Sequence, residues 1–480
     1  MQTLQRAPDG APRTRQVAAA VIGNALEWYD FIVYGFLTVV ISRLFFPAAS
    51  EYSSLLLTTA TFGVSFFMRP VGGVLIGAYA DRKGRKAALQ LIIGLMTVAM
   101  TLIAFAPTYA VIGIGGPLII VVARMLQGFA TGGEFASSTA FLVETAPANS
   151  RGLYGSWQMF GQGLAVLGGA IVGTLITKEL SPEALDAWGW RVPFVFGLLI
   201  GPVGIWIRRH LEEGEAFVEA QHDAKRKSSL GTVLNDHRRA VLVSICLTIC
   251  ATVSFYIVLV YMPTFANKQL GLPLDAAFTA QMIGVACLTL MVPLFGAMSD
   301  RIGRKPILIG SVTLYLMLLY PLFNWVLVNP NLSNLIAMQM VLCGLLGAFF
   351  GPYSSAIAEQ FPSGIRSTGM SLAYNIAVML FGGFAQFIVT WLIHVTASPL
   401  APVFYVIFGA AVGLLGAIFL VDPLTAQRRA GEEPHGLKKR GRLSATILTA
   451  QGMRDDVVSP VLPQVGGELE PGASCRVAAK

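Results

Sequence analysis

The sequence predicts an all-α membrane protein with twelve transmembrane helices in two six-helix pseudo-repeats. Three observations predict it: too little charge to cover an aqueous surface, apolar stretches of spanning length along the chain, and motifs that recur at nearly one offset. Of the 480 residues 55% are hydrophobic and 12% charged, and mean hydropathy is +0.66. A soluble protein carries about 25% charged residues, whereas a helix crosses a bilayer with about 20 mostly apolar ones.

The expected spans are 17–44, 53–80, 87–106, 114–144, 153–177 and 190–209, then 239–266, 276–298, 306–328, 333–359, 368–395 and 402–421; they are numbered 1 to 12 below. This divides the chain into an N-terminal segment 1–16, a first half 17–209, a central loop 210–238, a second half 239–421 and a tail 422–480. The loop, "RRHLEEGEAFVEAQHDAKRKSSLGTVLNDHRR", is too polar for lipid and reads as an interfacial helix plus linker. The tail is polar, contains "KKRGR", Gly and Pro, and is expected to be mostly disordered.

Arg6, Arg13 and Arg15 precede the first apolar run, as in a signal peptide, but the run from about Val17 to Phe46 is too long for one and lacks a small-residue cleavage site. It reads as a retained first helix. The net charge of +8 reports topology rather than nucleic-acid binding. All but six of the 34 Lys and Arg lie on one set of alternating loops or the termini; the exceptions are Arg43, Lys178, Arg191 and Lys268 on the other side and Arg69 and Arg124 within spans. By the positive-inside rule both termini are cytoplasmic, in a bacterial-type inner membrane. Four of the five cysteines fall in apolar runs, none forms a C-x-x-C pair, and the five histidines are scattered. That spacing suits neither a disulfide framework nor a metal, and buried cysteine behaves as a small hydrophobe. No H-E-x-x-H or G-x-S-x-G is present to suggest an enzyme, and His394 near the outer end of span 11 reads as an interfacial residue.

The repeats set the architecture. "GAYADRKGRK" (77–86) follows span 2 and "GAMSDRIGRK" (296–305) follows span 8, an offset of 219. "ETAPANSR" (144–151) follows span 4 and "EQFPSGIR" (359–366) follows span 10, an offset of 215; both read E-x-x-P-x-x-x-R. Two echoes at the same places in two six-span groups describe parallel repeats, one way secondary transporters are built. Gly77 and Gly296 allow close helix approach. Asp81 and Asp300 can cap the next helix or pair with a basic group on a neighbour. With Arg85, Arg304, Glu144, Arg151, Glu359 and Arg366 they form a candidate charge latch that holds one conformation and releases in another; a tight turn with a topology signal is the plainer reading.

The doubled "DRxGRK" loop, "RMLQGFATGGE" (124–134) and the twelve-span layout resemble the major facilitator superfamily. Within it, "GNALEWYDF" (23–31), "FFMRPVGG" (66–73), "GGE" (132–134) and "WGWRVPF" (188–194) are similar to the metabolite:proton symporter family, over about residues 16–421. That resemblance implies the major facilitator fold and proton-driven uptake of small carboxylates and osmolytes, with no cofactor beyond the proton and function as a monomer. "FFPAASE" (45–51) and "SLAYNIAVMLFGGF" (371–384) look more like the citrate and dicarboxylate members than the betaine and proline members. "FASSTAF" (135–141) departs from the glycine-richer pattern of many relatives, which bears on solute fit in span 4.

The buried charges carry the chemistry. Glu27, Asp30, Arg69 and Glu134 fall roughly 15–22 Å from the cytoplasmic helix ends, near mid-membrane, with Arg124 higher. Each charge costs about 2.5–3.5 kcal/mol at that depth unless it is paired or faces water. Glu27 and Asp30 repel each other if both are ionised, so one is suited to carry a proton while the other pairs with Arg69; an Asp30–Arg69 ion pair is the structural alternative. Asp30, Glu134 and Glu27 are the candidate proton carriers, with Asp30 or Glu134 preferred. The candidate solute ligands are Arg124, Gln127, Asn24, Tyr34 and Arg69 in the first half and Tyr374 and Asn375 in the second. The second half offers no ionised side chain at mid-depth, so charge and proton handling fall to one half and neutral hydrogen bonding to the other. The expected function is proton symport of a citrate-like tricarboxylate or dicarboxylate. Osmolyte or aromatic-acid symport is the alternative, and a drug exporter or a transporter-like nutrient sensor stands further off. Exporters carry a proline-rich signature in span 5, and "GQGLAVLGGAIVGTL" (161–175) has no proline.

Overall fold

The structure is a computed structural model that describes residues 13–83, 85–132, 134–198 and 236–422. Most of the central loop and nearly all of the tail, and the expectations for them, lie outside the described residues. Among the described residues every regular element is a helix. Nine helices among the described residues are long and apolar enough to cross a membrane, or ten when the bent pair of span 1 counts as one. Span 3 is the helix Arg85–Ala104, whose apolar part, Leu91–Ala104, is shorter. The described part of span 6 is helical over 192–198. The helical bounds follow the hydropathy closely: Glu51–Lys83 for span 2, Arg151–Glu179 for span 5, Leu274–Ile302 for span 8, Arg304–Val328 for span 9, Leu332–Ala358 for span 10 and Ala401–Phe419 for span 12.

Departures from straight helices have local causes. Span 1 runs as Arg13–Phe36 and Thr38–Phe45, bent by 62° about Leu37. Thr38 donates its hydroxyl back to the Gly35 carbonyl at 2.7 Å, a bond that competes with the helical ladder at that point. Span 4 is interrupted between Gly115–Ala130 and Glu134–Glu144. Span 7 opens into a π-helical segment, Phe255–Tyr261, between Arg238–Ser254 and Met262–Gln269. Span 11 does the same at Val378–Gly382, between Arg366–Ala377 and Ala385–Thr396. Such wide turns re-aim side chains and recur at functional sites.

Spans 2 and 4 cross at backbone distance. A Cβ on Gly128 would overlap the Ser65 carbonyl, and one on Gly72 would overlap the Phe129 carbonyl. Only glycine permits that approach, and it sets Arg69 and Arg124 beside one another against span 1. The apolar core is continuous, running from Trp28 and Phe36 through Tyr256 and Leu288 to Tyr353 and Val406.

Candidate functional site

A pocket with roughly 370 Å³ of free space, part of it open to solvent, lies between the first and second halves of the chain. Its walls include Glu27 and Trp28 of span 1, Arg69 of span 2, Phe135 of span 4, and Tyr374 and Asn375 of span 11. Four of the predicted site residues therefore converge: Glu27, Arg69, Tyr374 and Asn375. Tyr374 lies face to face with Phe135 at 3.9 Å and 8°, a stack that joins the groups. Asn375 donates to the Gly132 carbonyl at 3.3 Å and to Ser371 Oγ at 3.1 Å.

The other predicted residues are placed differently. Arg124 is fully buried in a ring cage, its guanidinium 5.0 Å from the centroid of Phe31, 4.6 Å from Tyr34 and 4.9 Å from Phe62. It donates to Gln127 Oε1 at 2.8 Å and Ser65 Oγ at 3.3 Å. Gln127 is thereby occupied, its amide also reaching Met100 Sδ at 3.1 Å. Arg69 stands over Phe31 at 4.8 Å and Phe66 at 4.4 Å, so Phe31 has a guanidinium on each of two approaches. Aromatic faces lower the cost of holding such cations out of water. Tyr34 donates to the Thr58 carbonyl at 3.3 Å.

Asn24 is engaged at both ends of its amide: it donates to the Gln158 carbonyl at 2.8 Å and accepts from Gln158 Nε2 at 3.1 Å. It ties span 1 to span 5 and is absent from the described cavity wall, as are Gln127, Tyr34 and Arg124. Asp30 forms no ion pair with Arg69, contrary to the structural alternative above. It turns instead toward Met100 and Gly197, where its Oδ1 is buried without a hydrogen-bond partner. Glu27 and Asp30 are about 60° apart around the helix, enough for one to face the cavity and the other spans 3 and 6. The side chains of Glu134, Asp81 and Arg85 lie outside the described residues.

On the face that carries the D-R-x-G-R-K turns, Asp300 accepts from the backbone amides of Gly152 at 2.7 Å and Leu153 at 2.9 Å. A second-group carboxylate thus caps the N-terminus of span 5, where unsatisfied amides and the helix dipole favour an anion. Arg304 pairs with Asp300 at 2.9 Å and Glu359 at 3.2 Å, all three side chains nearly buried. Glu144 of the first E-x-x-P-x-x-x-R motif pairs with Arg366 of the second at 2.6 Å. On the opposite face Glu51 pairs with Lys268, and Tyr52 stacks on His394 at 3.8 Å. The two groups therefore touch on both sides of the cavity.

Sequence reasoning did not single out Trp28, Phe62, Phe66, Phe135 or Ser65. Neutral side chains in apolar spans carry no periodic signal that separates a cavity wall from a core.

The Major Facilitator Superfamily profile matches residues 21–293, and a Sugar (and other) transporter profile matches residues 206–428. A citrate-proton symporter of Klebsiella pneumoniae is 34% identical over 411 residues, covering 86% of this chain and 92% of its own length. A proline/betaine transporter of Escherichia coli strain K12 is 34% identical over 435 residues, covering 88% and 85%. The crystal structure of a D-xylose-proton symporter shares the fold with a TM-score of 0.68 at 20% identity, over 85% of this chain and 97% of that one. The chain belongs to the major facilitator superfamily.

Proposed function

We propose that this protein is a proton-coupled symporter that imports a small carboxylate-bearing solute across a bacterial inner membrane by alternating access, both termini being cytoplasmic. The observation that carries the proposal is the cavity. It is walled by both groups, has a guanidinium and a carboxylate on one side and neutral polar groups on the other, and is flanked by inter-group contacts. The relatives support a transporter, and one of them is a proton symporter by name. Citrate, proline and betaine all carry a carboxylate, and relatives transporting them match this chain at the same identity. Arg69 is the lone guanidinium on the described cavity wall, and Glu27 shares that wall. This charge balance favours a solute with one carboxylate; the citrate relatives and the stretches 45–51 and 371–384 favour a tricarboxylate or dicarboxylate.

The proton offsets an electrical cost. Moving one negative charge into a cell held at 100 mV, negative inside, costs about 2.3 kcal/mol, and a dianion about twice that. Asp30, Glu134 and Glu27 are the carriers proposed, with Asp30 favoured because it can exchange a proton without breaking an ion pair. Arg69 would grip the solute carboxylate, and Arg124 in its ring cage would hold the packing of spans 1, 2 and 4. Counterflow in proteoliposomes with labelled citrate, succinate, proline, betaine and 4-hydroxybenzoate tests the solute class. Asp30→Asn should abolish uphill accumulation and its response to external pH while solute exchange survives. Uphill, pH-dependent uptake by Asp30→Asn and Glu134→Gln alike overturns the proton assignment.

A further inference from the structure

A second cavity, with roughly 280 Å³ of free space that is partly open to solvent, adjoins the first and shares Trp28, Phe135 and Tyr374 with it. Its described walls carry no charged side chain; Phe255, Phe350 and Tyr353 supply further rings. Three of the lining residues carry a side-chain polar atom with no hydrogen-bond partner: Gln162 Nε2, Thr252 Oγ1 and the Tyr256 hydroxyl. These residues are 2%, 5% and 1% exposed. Buried polar atoms are almost always satisfied, and each exception calls for an explanation. On the same wall the Tyr353 hydroxyl and Thr248 satisfy each other at 3.0 Å, so the wall can pair its own groups. Tyr256 sits in the π-helical segment Phe255–Tyr261, and its ring edge lies close to Gly382 at the end of the span 11 π segment.

We propose that this second cavity is a neutral compartment of the solute site, and that Gln162, Thr252 and Tyr256 determine specificity by binding one uncharged hydrogen-bonding group of the solute. The Phe135–Tyr374 stack partitions the compartment from the charged one, so a solute reaches both by lying along that ring pair. The inference rests on the carboxylate reading above and narrows it. The solute carries a carboxylate at one end and, across an apolar or planar body, a hydroxyl or carbonyl at the other. A site built to bond such a group rejects the analogue that lacks it, because the buried partners are then left unpaired.

The test uses matched pairs that differ in a single hydroxyl: citrate and tricarballylate, malate and succinate, 4-hydroxybenzoate and benzoate, trans-4-hydroxyproline and proline. Each competes for counterflow in proteoliposomes holding the full chain. The wild type should prefer the hydroxylated member of at least one pair by about tenfold. Tyr256→Phe and Gln162→Leu should erase that preference while leaving the external-pH dependence of uptake intact. Tyr256→Phe removes one oxygen and keeps the ring packing, so it remains informative if Gln162→Leu fails to fold. Preference retained in both variants, or no pair distinguished by the wild type, overturns the compartment and leaves the carboxylate reading standing. Competition by no carboxylate at all overturns both.

Discussion

The two faces of the protein close by different means. On the face of the D-R-x-G-R-K turns, Asp300, Arg304 and Glu359 form a network whose side chains are 5–8% exposed, tied to two backbone amides of span 5. On the opposite face, the Glu51 side chain of the Glu51–Lys268 pair is 72% exposed. Breaking a buried pair by removing one partner costs about 3–5 kcal/mol, whereas an exposed pair is worth about 0–1 kcal/mol. Apolar packing across the groups exists on both faces, as where Phe384 lies over Gly63 and Gly155 lies against Ser355. The polar contribution is therefore lopsided. If the turns face the cytoplasm, as proposed above, the empty protein should open outward more readily than inward, which suits the proposed import.

The largest effect should come from breaking the buried side. Asp300→Asn removes the charge that Arg304 and the span 5 amides share, and should shift the equilibrium by about 3 kcal/mol, roughly a hundredfold, toward the inward-open state. A cysteine placed at Ser156, which packs against Gly296, reports this in a cysteine-free background. Its labelling by a maleimide from the cytoplasmic side should rise steeply in the variant, while uptake falls and membrane insertion holds. Unchanged labelling would mean the network does not hold this face closed.

Glu144→Gln should act in the same direction with less force. Its pair with Arg366 is half-exposed on the carboxylate side, and Arg366 keeps its bond to the Ala358 carbonyl at 2.9 Å. A shift of about 1 kcal/mol, roughly fivefold, is expected in the same assay. Equal effects from Glu144→Gln and Asp300→Asn would mean that burial does not set the order.

Much of this was legible in the sequence. Hydropathy and the doubled motifs give the spans and place the charges of the turn-bearing face at equivalent turns. They do not say which partner each charge takes. Asp300 and Asp81 are equivalent by repeat, yet the grip of Asp300 on span 5 depends on how the two groups meet. The same limit explains the cavity. Glu27 and Arg69 stand out because buried charge is costly anywhere in a span, and both reach the wall. Asn24 and Gln127, also predicted solute ligands, are consumed by Gln158 and Arg124, which only packing reveals. The bend at Leu37 and the π segment at Val378 contain no proline to announce them, whereas Pro263, just after Phe255–Tyr261, lacks the N–H that would bond back into that segment.

Arg124→Lys sharpens the same contrast between buried and exposed charge within the membrane. Lysine keeps the charge but loses the planar stack on Phe31, Tyr34 and Phe62 and the fork that reaches Gln127 and Ser65. If Arg124 holds packing, the variant should lose thermal stability with little change in solute KM. A KM rise of tenfold or more at unchanged stability would make Arg124 a solute ligand instead.

The smallest effect belongs to the exposed face. Glu51→Gln removes an ion pair whose carboxylate is mostly in water, so its expected cost is under about 1 kcal/mol, less than a fivefold change in outward opening. Salt already screens such a pair, with a Debye length of about 8 Å at 0.15 M. The wild type and the variant should therefore converge as ionic strength rises, while Asp300→Asn, acting on a buried network, should stay as far from the wild type in high salt as in low. Tyr52→Leu adds a separate term, because the stack on His394 is worth about 0.5–1.5 kcal/mol beyond its burial. The double variant Glu51→Gln, Tyr52→Leu should still open outward less strongly than Asp300→Asn opens inward, with labelling of engineered outer-face and Ser156 cysteines as the paired readouts. If instead the outer variants dominate, the apolar contacts contribute most on the turn-bearing face and the asymmetry argued from buried charge is reversed.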